Sequence, residues 1–146
     1  MYGRPKFLIF LLRFCMGWLL FYSGITKVFD SSWTSKGYLE NASTFSGLYD
    51  WLTGPQNIVF IDFVVQWGMV LLGAALILGL FTRLAAGLAA VLMMLYYFPV
   101  LDFPYAGQNG FLIDEHIIYA LAFLLLIRLK AGRSFGIGSL FGRNSY

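Results

Sequence analysis

Residues 58–101 read IVFIDFVVQWGMVLLGAALILGLFTRLAAGLAAVLMMLYYFPVL, and within them only Asp62 and Arg83 carry charge. An α-helix rises ~1.5 Å per residue and needs ~20 apolar residues to cross ~30 Å of hydrocarbon. The stretch therefore divides into two spans, about residues 58–80 and 84–101, joined by the tight hairpin Phe81-Thr82-Arg83. Working outward, residues 7–29 and 111–129 form two more runs of similar length. A chain that is 60% hydrophobic and 12% charged, with fifteen Phe, nine Tyr and four Trp, carries more apolar surface than a soluble core absorbs. The prediction is an all-α membrane protein, a single membrane domain over residues 1–146. The first run is kept as a span and not read as a cleaved signal peptide, because it is long, contains Arg13 and lacks a small-x-small cleavage site.

Charge sets the expected orientation. Arg4, Lys6, Arg13, Arg83, Arg128, Lys130, Arg133 and Arg143 fall at one end of the spans. At the other end lie Asp30, Glu40, Asp50, Asp62, Asp102, Asp114 and Glu115, with only Lys27 and Lys36 for company. The positive-inside rule then places both termini in the cytoplasm and predicts an antiparallel bundle of four transmembrane helices. The net charge of +3 belongs to flanks beside an anionic leaflet, so the lipid bilayer is the expected partner and nucleic acid is not. A lone Cys15 excludes an internal disulfide and a CxxC pair, and is expected to be a small buried residue. With one His and one Cys, no metal site is expected.

Residues 30–57 make a long outer loop whose Trp33, Tyr38, Phe45, Tyr49 and Trp51 suit a lid at headgroup level. Its second half can hold a short amphipathic helix ended by Gly54 and Pro55. Pro99 is expected to end the third span, and residues 130–146 read as a cytoplasmic tail without lasting periodicity.

Stepping about 100° per residue gathers Arg13, Gly17, Gly24 and Lys27 on one face of the first helix. Asp62, Gln66, Met69 and Gly73 share a face of the second, Ala85, Ala86, Ala89 and Ala90 one of the third, and Glu115, Tyr119 and Ala122 one of the fourth, with His116 beside them. Small residues let helices approach closely in lipid, and charged groups turn from it, so these faces should meet. At the outer end they would gather Lys27, Asp30, Asp62, Gln66, Glu115, His116 and Tyr119, with the acids close enough to pair with Lys27. His116 would be the group there able to exchange a proton near neutral pH. The plainer alternative is that Asp114 and Glu115 only complement the dipole of a helix start, and that Arg13 snorkels to the cytoplasmic face.

The segments RFCMGWLLFYSGITKVFD and QWGMVLLGAALILGLFTRLAAGLAAVLMMLYY resemble the first three helices of DoxX-type membrane proteins, including the Leu-Gly-Leu-x-Thr-Arg turn. SWTSKGYLENAS and NGFLIDEHIIYALAFLLL are similar to the subgroup named DoxD, the membrane subunit of thiosulfate:quinone oxidoreductase. The resemblance implies a four-helix protein of a prokaryotic plasma membrane that passes electrons from a sulfur compound to quinone with an additional protein subunit. Gln66 departs from it, standing where many relatives have an acid.

Two functions follow as expectations. In a quinone-reducing subunit, Glu115, His116 and Lys27 would be the catalytic set. Tyr119, Gln66, Trp67, Trp33 and Arg13 would bind quinone or substrate, the Trp rings by stacking. The chain would hold no cofactor of its own, because one His and one Cys cannot ligate a bis-histidyl haem or an iron–sulfur cluster; quinone would be a substrate. The alternative is a non-catalytic subunit that anchors or stabilises a larger membrane complex. A transporter is disfavoured by the lack of a broken helix or inverted repeat.

Overall fold

The computed structural model describes residues 5–137, and the protein is mostly helical. The elements in order are α1 (Lys6–Phe29), α2 (Lys36–Leu39), α3 (Ser46–Leu52), α4 (Ile58–Leu78) and α5 (Thr82–Val100). A small antiparallel ribbon of β1 (Leu101–Asp102), β2 (Tyr105–Ala106) and β3 (Gly110–Phe111) follows, then α6 (Glu115–Arg128) and a 3₁₀ turn at Ala131–Arg133. Three helices, α1, α4 and α5, are long and apolar enough to cross a membrane. Their bounds fall within a few residues of those read from hydropathy.

The fourth run differs from expectation. Phe111 is paired in the ribbon, Leu112 takes φ 62, and Asp114 caps the helix, so α6 has 14 residues and begins only at Glu115. Its Asp114 side chain accepts from the amides of His116 and Ile117, two of the donors that a helix start leaves unpaired. A strong local cap thus overrides hydropathy. Pro99 sits inside the last turn of α5 and does not end it before that turn.

The tightest packing joins α1 to α4. A Cβ placed on Gly73 would collide with the backbone nitrogen of Phe21; one on Gly24 would come within 2.7 Å of the Val70 nitrogen, and one on Gly17 within 3.0 Å of the Gly73 oxygen. Backbone meets backbone there, as the small-residue face predicts, because dispersion between close helices is what association in lipid relies on. The contacts run Gly17 to Gly73 and Gly24 to Val70, so the two helices are antiparallel. The Ala85, Ala86, Ala89 and Ala90 face of α5 is likewise buried, with Phe123 and Leu126 of α6 in the same core. Outward-facing side chains are large and apolar: Phe14, Trp18, Phe63, Leu71, Leu88, Val91, Leu121 and Leu124 are all exposed. Exposed apolar surface of this extent belongs against lipid.

Two expectations about α1 are corrected. Cys15 is exposed on the outward face, because the buried positions 9, 13, 16, 17, 20 and 24 follow the helical period and 15 falls between them. Arg13 does not snorkel. It is 0% exposed, its Nη1 donates to the carbonyls of Ala131 and Ser134 (both 2.8 Å), and its Nη2 donates to Phe135 (3.2 Å). The segment after α6 folds back over α1 to supply those oxygens, so its first residues are packed structure and not a free tail. Residues 138–146 of the expected tail lie outside the described residues. Gly79 closes this end: it takes φ 73 to terminate α4, and a Cβ there would meet Gly136 at 2.7 Å and the Arg13 guanidinium at 3.0 Å.

Candidate functional site

At the end of the helices opposite Arg13, the segment 30–57 folds as a lid through α2 and α3. Three of its side chains reach α5 and its end: Tyr38 Oη donates to the Tyr96 carbonyl (2.6 Å), Tyr49 Oη to the Leu95 carbonyl (2.9 Å) and Thr44 Oγ1 to the Leu101 carbonyl (2.9 Å). The Leu95 bond follows from chain chemistry. In an α-helix the Leu95 oxygen would accept from the amide four residues on, but that residue is Pro99 and has no N–H. Tyr49, 1% exposed, replaces the missing donor. An apolar surrounding makes an unpaired carbonyl costly, which explains why a lid tyrosine is buried here.

Asp62, half-buried in the second turn of α4, pins the start of α2. Its carboxylate accepts from Ser35 N (2.8 Å), Ser35 Oγ (2.5 Å) and Thr34 Oγ1 (2.7 Å). Asp30 is held below the usual carboxylate range by the hydroxyl and then the amide of Ser32. Burial pushes the hydroxyl of Tyr38 far up from its ordinary value, helped by Tyr96 and by the charges of Asp114 and Glu115; burial also raises Tyr49. Both phenols are thereby kept as donors.

The α6 start faces this lid. His116 Nδ1 lies 2.6 Å from Asp114 Oδ2, and the imidazole lies parallel to the Tyr96 ring at 5.9 Å between centroids, with the Tyr38 ring 5.4 Å from Tyr96. With Asp114 ionised, Nδ1 carries the proton of that bond and Nε2 is the nitrogen left for a ligand. The Tyr96 Oη is buried with no partner among the described residues. Asp114, Tyr38 and Tyr96 join His116 here, although the sequence suggests for Asp114 only a role in complementing the helix dipole and singles out no role for Tyr96. An Asp two residues before a His at a helix cap was a local signal for the first of these; the aromatic pair had none.

The other expected site residues are more scattered. Lys27 donates to Ser23 O (3.1 Å) and Ser23 Oγ (3.0 Å) and sits 5.4 Å from the Trp33 ring centre; among the described residues it forms no ion pair with an acid. Glu115 is exposed at the mouth beside His116, and Tyr119, one turn on, packs against the core. Gln66 is half-buried and Trp67 exposed on α4, while Arg13 lies at the far end of α1. The structure thus joins His116 to Asp114, leaves Glu115 exposed beside them, pairs Lys27 with Trp33, and keeps Arg13 apart at the far end.

An apolar groove of about 520 Å³ runs along α5 and α6, lined by Ala90, Met94, Leu95, Phe98, Ile117 and Leu121 among others. Leu95 and Ile117 are chain neighbours of Tyr96 and His116. Among the described residues no cluster of His, Cys, Asp and Glu could hold a metal ion.

Apolar helices with outward aromatic surface, a lid at one end and a basic face at the other define a helical integral membrane protein. The family model for DoxX matches residues 8–101, which is more than half of the chain, and the protein belongs to the DoxX family. The match covers α1 to α5, with Asp62, Tyr38 and Tyr96, and stops before α6 and His116. No curated protein and no solved structure matches the chain.

Proposed function

We propose that this DoxX-family protein is an integral subunit of a quinone-reducing complex, and that its quinone lies between α5 and α6. The observation that carries this reading is the apolar α5–α6 groove, whose lining includes Leu95 and Ile117, the chain neighbours of Tyr96 and of the Asp114-bound His116. A quinone needs an apolar slot for its tail, a hydrogen-bond donor at a carbonyl and protons as it becomes quinol. As the imidazolium, held by Asp114, His116 presents Nε2–H to a carbonyl. Exposed Glu115 connects it to water, and Lys27 with Trp33 lies at the same end of α1. Both electrons come from a donor held by a further subunit, for which a sulfur compound such as thiosulfate is the first candidate.

In this reading α6 completes an antiparallel four-helix membrane bundle, and the exposed Ile118, Leu121, Leu124 and Leu125 support its contact with lipid. The basic end faces the cytoplasm, with both termini inside a prokaryotic plasma membrane, as the distribution of Arg and Lys favours. A second reading, a non-catalytic anchoring or stabilising subunit, is favoured by how many polar groups at the lid end are engaged in folding: Asp62, Tyr38, Thr44 and Tyr49 all bond structural partners.

The test is to purify the protein from its native membrane in mild detergent, quantify extracted quinone, and identify copurifying polypeptides. Near-stoichiometric quinone that is lost in His116→Gln while the melting temperature stays unchanged is the expected result. A fixed set of partner polypeptides without quinone would replace this reading with the anchoring one.

A further inference from the structure

The basic end holds a second concavity that the quinone reading does not use. A cleft of about 360 Å³ lies between the start of α5 and the end of α6, lined by Thr82, Arg83, Leu126, Ile127, Arg128 and the segment 130–133. Four of its residues, Arg83, Arg128, Lys130 and Arg133, are cations, and among the described residues none is paired with a carboxylate. Every Asp and Glu side chain of the sequence, from Asp30 to Glu115, falls toward the lid side.

Two further observations mark the cleft as a place for an anion. Thr82 is 5% exposed, yet its Oγ1 is buried without a hydrogen-bond partner among the described residues, and it lies where a Cβ on Gly132 would meet it at 3.0 Å. A buried hydroxyl left unpaired costs free energy that a bound acceptor would recover. In addition, α5 starts without a side-chain cap and without an acid in its first turn. The first α5 amide with a backbone acceptor is that of Ala85, to Phe81 O at 2.9 Å. The earlier amides of this long helix therefore add their dipole to the same positive region.

We infer that this cleft binds the phosphodiester headgroup of an anionic phospholipid. The ligand chemistry is a phosphate oxygen set: cations for charge, and the Thr82 hydroxyl and α5 amides for hydrogen bonds. A lipid fits better than free phosphate because Leu126 and Ile127 form part of the wall, and Phe81 and Leu84 project beside the same helix start at 74% and 63% exposure. An acyl chain leaving the cleft meets apolar surface at once. The inference holds whichever leaflet this end occupies and does not depend on a bound quinone.

Native mass spectrometry of the delipidated full-length protein, titrated with dioleoylphosphatidylglycerol, tests it, with dioleoylphosphatidylcholine and inorganic phosphate as controls. One tightly held phosphatidylglycerol per chain is expected. Its affinity should fall about tenfold or more in Arg83→Gln/Arg133→Gln and less in Thr82→Val, while the lipid-free melting temperature of each variant stays that of the parent. Equal binding of phosphatidylcholine, or undiminished binding by the double variant, would overturn the site. Displacement of the lipid by millimolar inorganic phosphate would overturn its assignment to lipid. Retention of quinone is read in the native-membrane preparation of each variant before delipidation, so the two proposals fail separately.

Discussion

The two ends of the helices solve one problem with opposite charges. At the basic end a fully buried guanidinium is paired with no acid among the described residues; Arg13 is held by three backbone carbonyls of the segment after α6. At the lid end a half-buried carboxylate is matched by no cation; Asp62 is held by an amide and two hydroxyls. Among the described residues each of these two charges is therefore met by dipoles and not by an opposite charge. Charge-assisted hydrogen bonds to neutral groups are strong enough for this, at roughly 1.5–3 kcal/mol each. The difference lies in what remains available among the described residues: the basic end keeps cations without a carboxylate around a cleft, whereas the lid end keeps the His116 Nε2 and the Tyr96 hydroxyl.

Removing the charge at the basic end should do the most damage. Arg13→Met leaves the oxygens of Ala131, Ser134 and Phe135 buried without donors, and should cost on the order of 3–5 kcal/mol. Thermal unfolding in detergent and limited proteolysis after α6 would register the loss. Arg13→Lys should recover only part, since an ammonium cannot span three acceptors as a planar fork does. A variant that melted like the parent would show that packing, and not the Arg13 hydrogen bonds, holds this end together.

The corresponding change at the lid end is smaller. Tyr49→Phe strands the Leu95 carbonyl and should cost about 1–2 kcal/mol by thermal unfolding. In a Pro99→Ala background the restored amide at position 99 can serve that carbonyl, so the same substitution should then cost measurably less. Equal costs in both backgrounds would break the link between the proline and the lid.

The smallest effect is the pH dependence carried by the Tyr38 hydroxyl, which does not show at neutral pH. Its folded value is raised, so the neutral phenol is favoured by folding; that contribution is complete below the unfolded tyrosine value near 10 and is lost as pH rises through the folded one. Melting temperature should therefore fall above pH ~10, and Tyr38→Phe should lessen that alkaline fall. Tyrosinate absorbance of parent and variant should place the Tyr38 step late in the titration. An early step would show that the lid opens to solvent.

Much of this protein was legible without coordinates. The spans over α1, α4 and α5 follow from hydropathy because hydrocarbon forces backbone groups to pair within a helix, and helix length then depends only on membrane thickness. Gly17, Gly24, Gly73 and the alanines of α5 announce their faces because helical periodicity is local. Asp114 as a cap, and its nearness to His116, are also local. The shortening of α6 was visible in principle in that same cap, but hydropathy outvoted it.

What only the tertiary structure decided is which distant groups meet. The tyrosine for Leu95 lies 46 positions away, and the oxygens for Arg13 lie 118, 121 and 122 positions away. Every residue has a carbonyl, so a side chain bonded to one leaves no complementary residue type for a sequence to display. The candidate site shares this limit. Its polar residues could be named from their faces, but Tyr96 between Tyr38 and His116, the separation of Lys27 from the acids, and the orphaned Thr82 hydroxyl depend on how the helices turn against one another. That rotation is fixed by backbone contact at Gly73 and by the alanine face of α5, a property of packed surfaces in three dimensions that no single segment contains.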